Sequence, residues 1–104
     1  MSSEKRVLDL LPGFSQYMES ATRLSATSRW RYAYEMGQFT KAVGNPLLAD
    51  LTPGVLLSWH GELRSTGKAR ATVLQKHAAL SRFLRYRDEF QELPGVDRLR
   101  RSLR

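Results

Sequence analysis

Apolar residues recur at intervals of three and four in four separate segments of this chain, and no stretch alternates with a period of two. The first spacing is one face of an α-helix, and the missing one is what a half-buried strand needs. The chain is therefore read as all-α, a compact four-helix bundle. Val7, Leu11, Phe14 and Met18 mark the first stripe, and Ser28, Tyr32, Met36, Phe39 and Val43 the second. Val55, Leu56, Trp59 and Leu63 give the third, and Val73, His77, Leu80 and Leu84 the fourth. The expected core joins Tyr32, Phe39, Leu56, Trp59, Leu63, Leu80 and Phe83. At 104 residues there is room for one domain, able to bury roughly two-thirds of its unfolded surface without a disulfide or metal.

The breaks between stripes set the helix ends. Residues 1–6 are polar and read as frayed. Pro12-Gly13 places the start of the first helix near Leu11, because a proline deeper inside would clash with the Leu8 carbonyl. Ser25 is an N-cap for a helix over 26–43, which Gly44 ends and Asn45-Pro46 keeps from restarting. Thr52-Pro53 starts the third helix, an N-cap followed by proline at the first helical position. That helix ends by Ser65-Thr66-Gly67, and the fourth runs from Lys68-Arg70 to Arg87 or Phe90. Leu93-Pro94-Gly95 is a break. Residues 1–92 then form one helical domain, and 93–104 a basic linker, weakly amphipathic through Val96, Leu99 and Leu103, towards a domain absent from this chain.

Charge narrows the function. The segment Arg64–Arg87 holds seven of the 17 basic residues and none of the ten acidic ones, so the formal +7 sits entirely within it. A merely solvated helix mixes signs along its exposed side. A concentrated excess at a pI near 10.4 points to a polyanion, nucleic acid ahead of an anionic membrane surface. No apolar run approaches the ~18 residues of a membrane span. Cysteine is absent, which fits a reducing, cytoplasmic location. Two histidines without cysteine give no metal-ligand spacing, and no cofactor motif is present. His60 reads as an ordinary, partly exposed histidine. No nucleophile, base and oxyanion donors stand together, so no residue is a catalytic candidate. Trp30 and Tyr34 lie off the second stripe, beside Arg29 and Arg31. Either another helix covers them or they belong to a binding surface.

Three stretches, in order, resemble the N-terminal core-binding (SAM-like) domain of tyrosine recombinases, the phage-integrase class. They are Ser25, Ser28, Tyr32, Met36 and Phe39; Leu51-Thr52-Pro53, Leu56, Trp59 and Leu63; and Thr72, Val73, His77, Leu80, Phe83 and Tyr86. The resemblance covers about residues 7 to 90. Ser28 stands where the family has threonine, and His77 where an aliphatic residue is usual. The family's chemistry lies in a second domain with a His-x-x-Arg motif. Neither His60 nor His77 begins one, so this chain is expected not to cut DNA.

The resemblance implies that the second and fourth helices lie against duplex DNA, largely in the major groove, and that a catalytic domain of the same parent chain clamps the other side. Other recombinase protomers on the DNA are further partners; a membrane is not. Carried over by position, the contacts are Trp30 and Arg31 on helix two and Thr72, Gln75 and Lys76 on helix four. Charge and placement add Arg29, Lys68 and Arg70. Lys68 and Arg70 suit phosphates, while Gln75 and Arg31 carry the donor patterns that read base edges. The alternatives are a helical protein-interaction module with a basic face, or a stand-alone DNA-binding regulator.

Overall fold

The computed structural model describes residues 5–90 and 95–103. Four long helices, α1 (Val7–Ala21), α2 (Ala26–Val43), α3 (Pro53–Ser65) and α4 (Arg70–Glu89), are followed by a short α5 (Val96–Arg101). A single 3-10 turn, Leu48–Asp50, lies between α2 and α3. The local signals account for two of the starts. Ser25 Oγ accepts the Ser28 amide at 3.1 Å, and Thr52 Oγ1 accepts that of Val55 at 3.3 Å, with Pro53 behind it. Gly44 ends α2 in the left-handed conformation, φ 83°, which glycine adopts without a Cβ clash.

α1 starts earlier than Pro12-Gly13 implies. It begins at Val7 and carries Pro12 within it. The reason lies 37 to 39 residues downstream, in the loop after α2. The Val7 amide donates to the Pro46 carbonyl at 3.0 Å and the Leu8 amide to Asn45 Oδ1 at 2.9 Å. These bonds satisfy first-turn amides that a free helix end leaves orphaned. Arg6 also forms an isolated bridge with Leu47, so residues 5–6 are engaged rather than frayed; residues 1–4 lie outside the described residues. The inward stripe is accordingly Val7, Leu10, Phe14 and Met18, with Leu10 in the place expected for Leu11.

The core gathers the inner faces of all five helices. α2 packs antiparallel along α4, and α1 lies across both. Phe39, Leu56, Trp59, Leu63, Leu80 and Phe83 are buried as expected. Tyr32 is not: it stays half-buried, with the Arg82 guanidinium 5.6 Å above its ring. Arg87, one of the seven basic residues of the Arg64–Arg87 segment, is 3 % exposed and lies 4.7 Å from the Tyr86 ring centre. The segment read as a linker folds back. Val96, Leu99 and Leu103 are buried in the same core, and α5 packs on α3 and α4. The break read at Leu93-Pro94 lies outside the described residues.

Gly13 marks a close approach of α1 to α4. A Cβ there would lie 2.5 Å from the Tyr86 hydroxyl, and Tyr86 is wedged between Phe14, Tyr17 and Phe90. Helix propensity favours alanine over glycine by about 1 kcal/mol, but overpacking costs roughly 1–3 kcal/mol. Gly13→Ala therefore destabilises the domain, and a urea melt with an unchanged or raised midpoint would show that Tyr86 yields freely.

Candidate nucleic-acid interface

α4 shows three distinct sides. Val73, His77, Leu80 and Leu84 point into the core. Lys76 and Ala79 face α2, Ala71, Gln75, Ala78 and Arg85 are exposed, and Arg82 lies half-buried on the border between these two sides, beside Tyr32. Ala71, Gln75, Ala78, Arg82 and Arg85 recur at four, three, four and three, one continuous outer stripe. Three of its members are small or amide side chains and two are arginines, and no acid interrupts it. Tyr32, Ala78, Ser81, Arg82 and Arg85 line a shallow hollow beside it. Arg82 and Arg85 belong to this surface although the contact candidates above omit them. Their spacing was legible, but nothing local told which flank of the helix α2 would cover.

The eight candidates do not form one cluster. Contacts between Glu35 and Lys76 and between Tyr32 and Arg82 put the start of α2 beside the end of α4. The Arg29–Arg31 group is thus at the far end from Lys68 and Arg70, with Arg70 and Arg82 separated by about 18 Å of helix rise. Lys68, Arg70 and Gln75 are exposed, and Thr72 is half-buried on the side towards α2. The α4 N-terminus starts at Ala69 without a side-chain cap, so its first amides face the same space as Lys68 and Arg70.

Two candidates are placed differently from expectation. Lys76 Nζ lies 2.7 Å from Glu35 Oε1, with the two side chains only 15 % and 10 % exposed. The basic stretch has a counter-charge after all, supplied by α2 and invisible to a tally along the sequence. Trp30 is 67 % exposed and stacks on Tyr34, ring centres 5.4 Å apart and planes 12° from parallel. At about 100° per residue, it lies roughly 140° around α2 from Glu35 and roughly 160° from Tyr32, away from the side that meets α4. Arg31 is exposed on the flank next to Glu35, while Arg29 is half-buried, its Nη1 donating to the Leu24 carbonyl at 2.8 Å. No helix covers the Trp30–Tyr34 pair among the described residues.

On the other flank of α4, His60 Nδ1 and His77 Nε2 are 2.9 Å apart. With Arg64, Lys68 and Arg70 they line a cavity of about 520 Å3. Residues 17 apart on two helices leave no local signature, which is why His60 reads as ordinary in the sequence. No group of three or more His, Cys, Asp or Glu able to hold a metal occurs among the described residues, and no helix there is long and apolar enough to cross a membrane.

Helix order, capped breaks and an acid-free outer stripe define a small all-α bundle with one basic helix on its surface. The family model for the phage integrase N-terminal SAM-like domain matches residues 11–89, and the chain belongs to that family. No curated protein and no solved structure matches it.

Proposed function

We propose that this chain is the core-binding domain of a site-specific tyrosine recombinase, holding duplex DNA so that a catalytic domain beyond residue 104 can act on it. The observation that carries the reading is the outer stripe of α4, with Lys68 and Arg70, which have no ion-pair partner among the described residues, near its start. From Arg70 to Arg85 the helix rises about 22 Å, longer than the ~12 Å width of the major groove. The ends of α4 then meet the flanking phosphates, Lys68 and Arg70 at one side and Arg82 and Arg85 at the other. Its middle faces base edges, where Ala71 and Ala78 allow close approach. Gln75 stands between them, and its amide matches the N6 donor and N7 acceptor of adenine, a discrimination of roughly 1–3 kcal/mol. Arg31 adds a cation from α2. Lys76 and Thr72 serve the α2–α4 contact, and Arg29 braces the turn before α2.

The test is a salt titration. The isolated domain binds duplex DNA with a slope of log K against log salt of roughly −3 to −5, about −0.9 for each phosphate neutralised. Arg70→Ala weakens binding to cognate and random duplexes alike and makes the slope shallower by about one. Gln75→Ala leaves the slope unchanged and erodes only the preference for the cognate site. Equal weakening on both duplexes would remove Gln75 from base reading.

One observation favours the second reading, a protein-interaction module. The exposed Trp30–Tyr34 stack faces away from α4, and aromatic side chains are enriched where proteins meet. A flat salt dependence, with tighter binding to an acidic peptide than to DNA, would select it.

A further inference from the structure

The 520 Å3 cavity between the end of α3, the start of α4 and the end of α5 lies within the roughly 300–1,000 Å3 range of small-ligand sites. Arg64, Lys68 and Arg70 line it, and no carboxylate does among the described residues. None of the three cations has an ion-pair or hydrogen-bond partner among the described residues. Leu74 and Leu103 give it apolar walls, and both histidines of the chain stand at its inner side.

The two rings are joined by one hydrogen bond, between His60 Nδ1 and His77 Nε2. One of these nitrogens donates and the other accepts, and a neutral pair joined in this way keeps one lone pair on its outer nitrogens, His60 Nε2 or His77 Nδ1. A proton can join there without breaking the bond.

We propose that this cavity binds a phosphate group, held by Arg64, Lys68 and Arg70, and that the hydrogen-bonded His60–His77 pair lining it takes up a proton as the phosphate enters. Binding then strengthens as pH falls. The phosphate comes either from a DNA backbone, in which case the inference rests on the function proposed above, or from a free anion. Every charged group facing the pair among the described residues is cationic: Arg64 from α3, Lys68 from the turn, Arg70 from α4, and Arg100 from α5, which shares an adjoining cavity with His77. Trp59 supplies an uncharged ring 5.6 Å from that of His77. Without an anion these charges and the burial of His77 oppose a further proton, and an entering phosphate reverses the local sign.

Burial, and secondly His60, hold the His77 ring below the ordinary value of 6.5. A lowered value means that neutral His77 stabilises the fold above pH 6.5 and that this contribution is lost as pH falls through the lower, folded value. A bound phosphate restores it. Because the chain has only these two histidines, side-chain titration between about pH 5.5 and 7.5 belongs to the pair.

The experiment titrates the chain with duplex DNA and, separately, with sulfate, whose charge does not change over this range as that of inorganic phosphate does. Affinity is read at several pH values, with the ring nitrogens followed by NMR in the wild-type chain. Both ligands are expected to bind more tightly by about three- to tenfold per unit fall in pH, tenfold being the limit for one linked proton, and the histidine nitrogens should move to the protonated form at saturation. His60→Gln, a change at a half-buried ring, should flatten the slope. A duplex bound with steep salt dependence but no pH dependence overturns this inference and leaves the proposed function standing. Sulfate bound with the expected slope, with no binding of the duplex, keeps the site and overturns the DNA reading. Histidine nitrogens unmoved at saturation overturn the site for both ligands.

Discussion

Replacing Phe83 with alanine lowers the unfolding free energy by about 3–5 kcal/mol, the usual cost of emptying a buried phenylalanine site. Phe83 is fully buried. Its ring meets Phe14 edge-on, centres 5.5 Å apart and planes at 84°, and approaches Tyr86 at 6.1 Å. It is therefore the point where α1 and α4 share an aromatic cluster. The substitution loses the transfer of the ring from water and leaves a void that rigid rings on two sides cannot close. In a domain of this size, with a total stability on the order of 5–15 kcal/mol, that is a large fraction. The midpoint of thermal unfolding should drop on the order of 15 °C. A loss under about 1 kcal/mol would mean that the α1–α4 contact is not the centre of the core.

Lys76→Ala should harm stability and spare DNA binding. Its ammonium is the partner of the Glu35 carboxylate, itself nine-tenths removed from water. Removing one member of a buried pair leaves the other charge uncompensated, at a cost of about 3–5 kcal/mol when burial is complete. Glu35 keeps some exposure and can take up a proton, so about 2–3 kcal/mol is expected here. The double change Glu35→Gln with Lys76→Met should recover most of that loss, because two neutral side chains then pack where two charges stood. Below the melting range, Lys76→Ala should leave the salt slope of duplex binding unaltered, whereas Arg70→Ala makes it shallower by about one. A slope reduced by one in Lys76→Ala would show that the lysine leaves Glu35 for a phosphate.

These two residues also show where reading along the chain stops. Phe83 could be assigned to the core from spacing alone, as could Phe39, Leu56, Trp59, Leu63 and Leu80. The helix ends at Ser25, Gly44 and Thr52-Pro53 were equally legible, since a cap is a contact between residues three or four apart. The all-α class follows from the same local rules. Position in space does not. Pro12 sits inside α1 because Asn45 and Pro46 hold its first amides. Lys76 is neutralised by a carboxylate 41 residues away, and Trp30 points away from α4 by its rotation about α2. The tail of residues 95–103 reads as basic and weakly amphipathic, yet Val96, Leu99 and Leu103 complete the core. The His60–His77 pair arises where α3 and α4 meet. A sequence specifies which face of each helix is oily, through a period of 3.6 that needs only neighbours. Which charges meet across two helices depends on their rotation and register, and the packing of the whole core decides those.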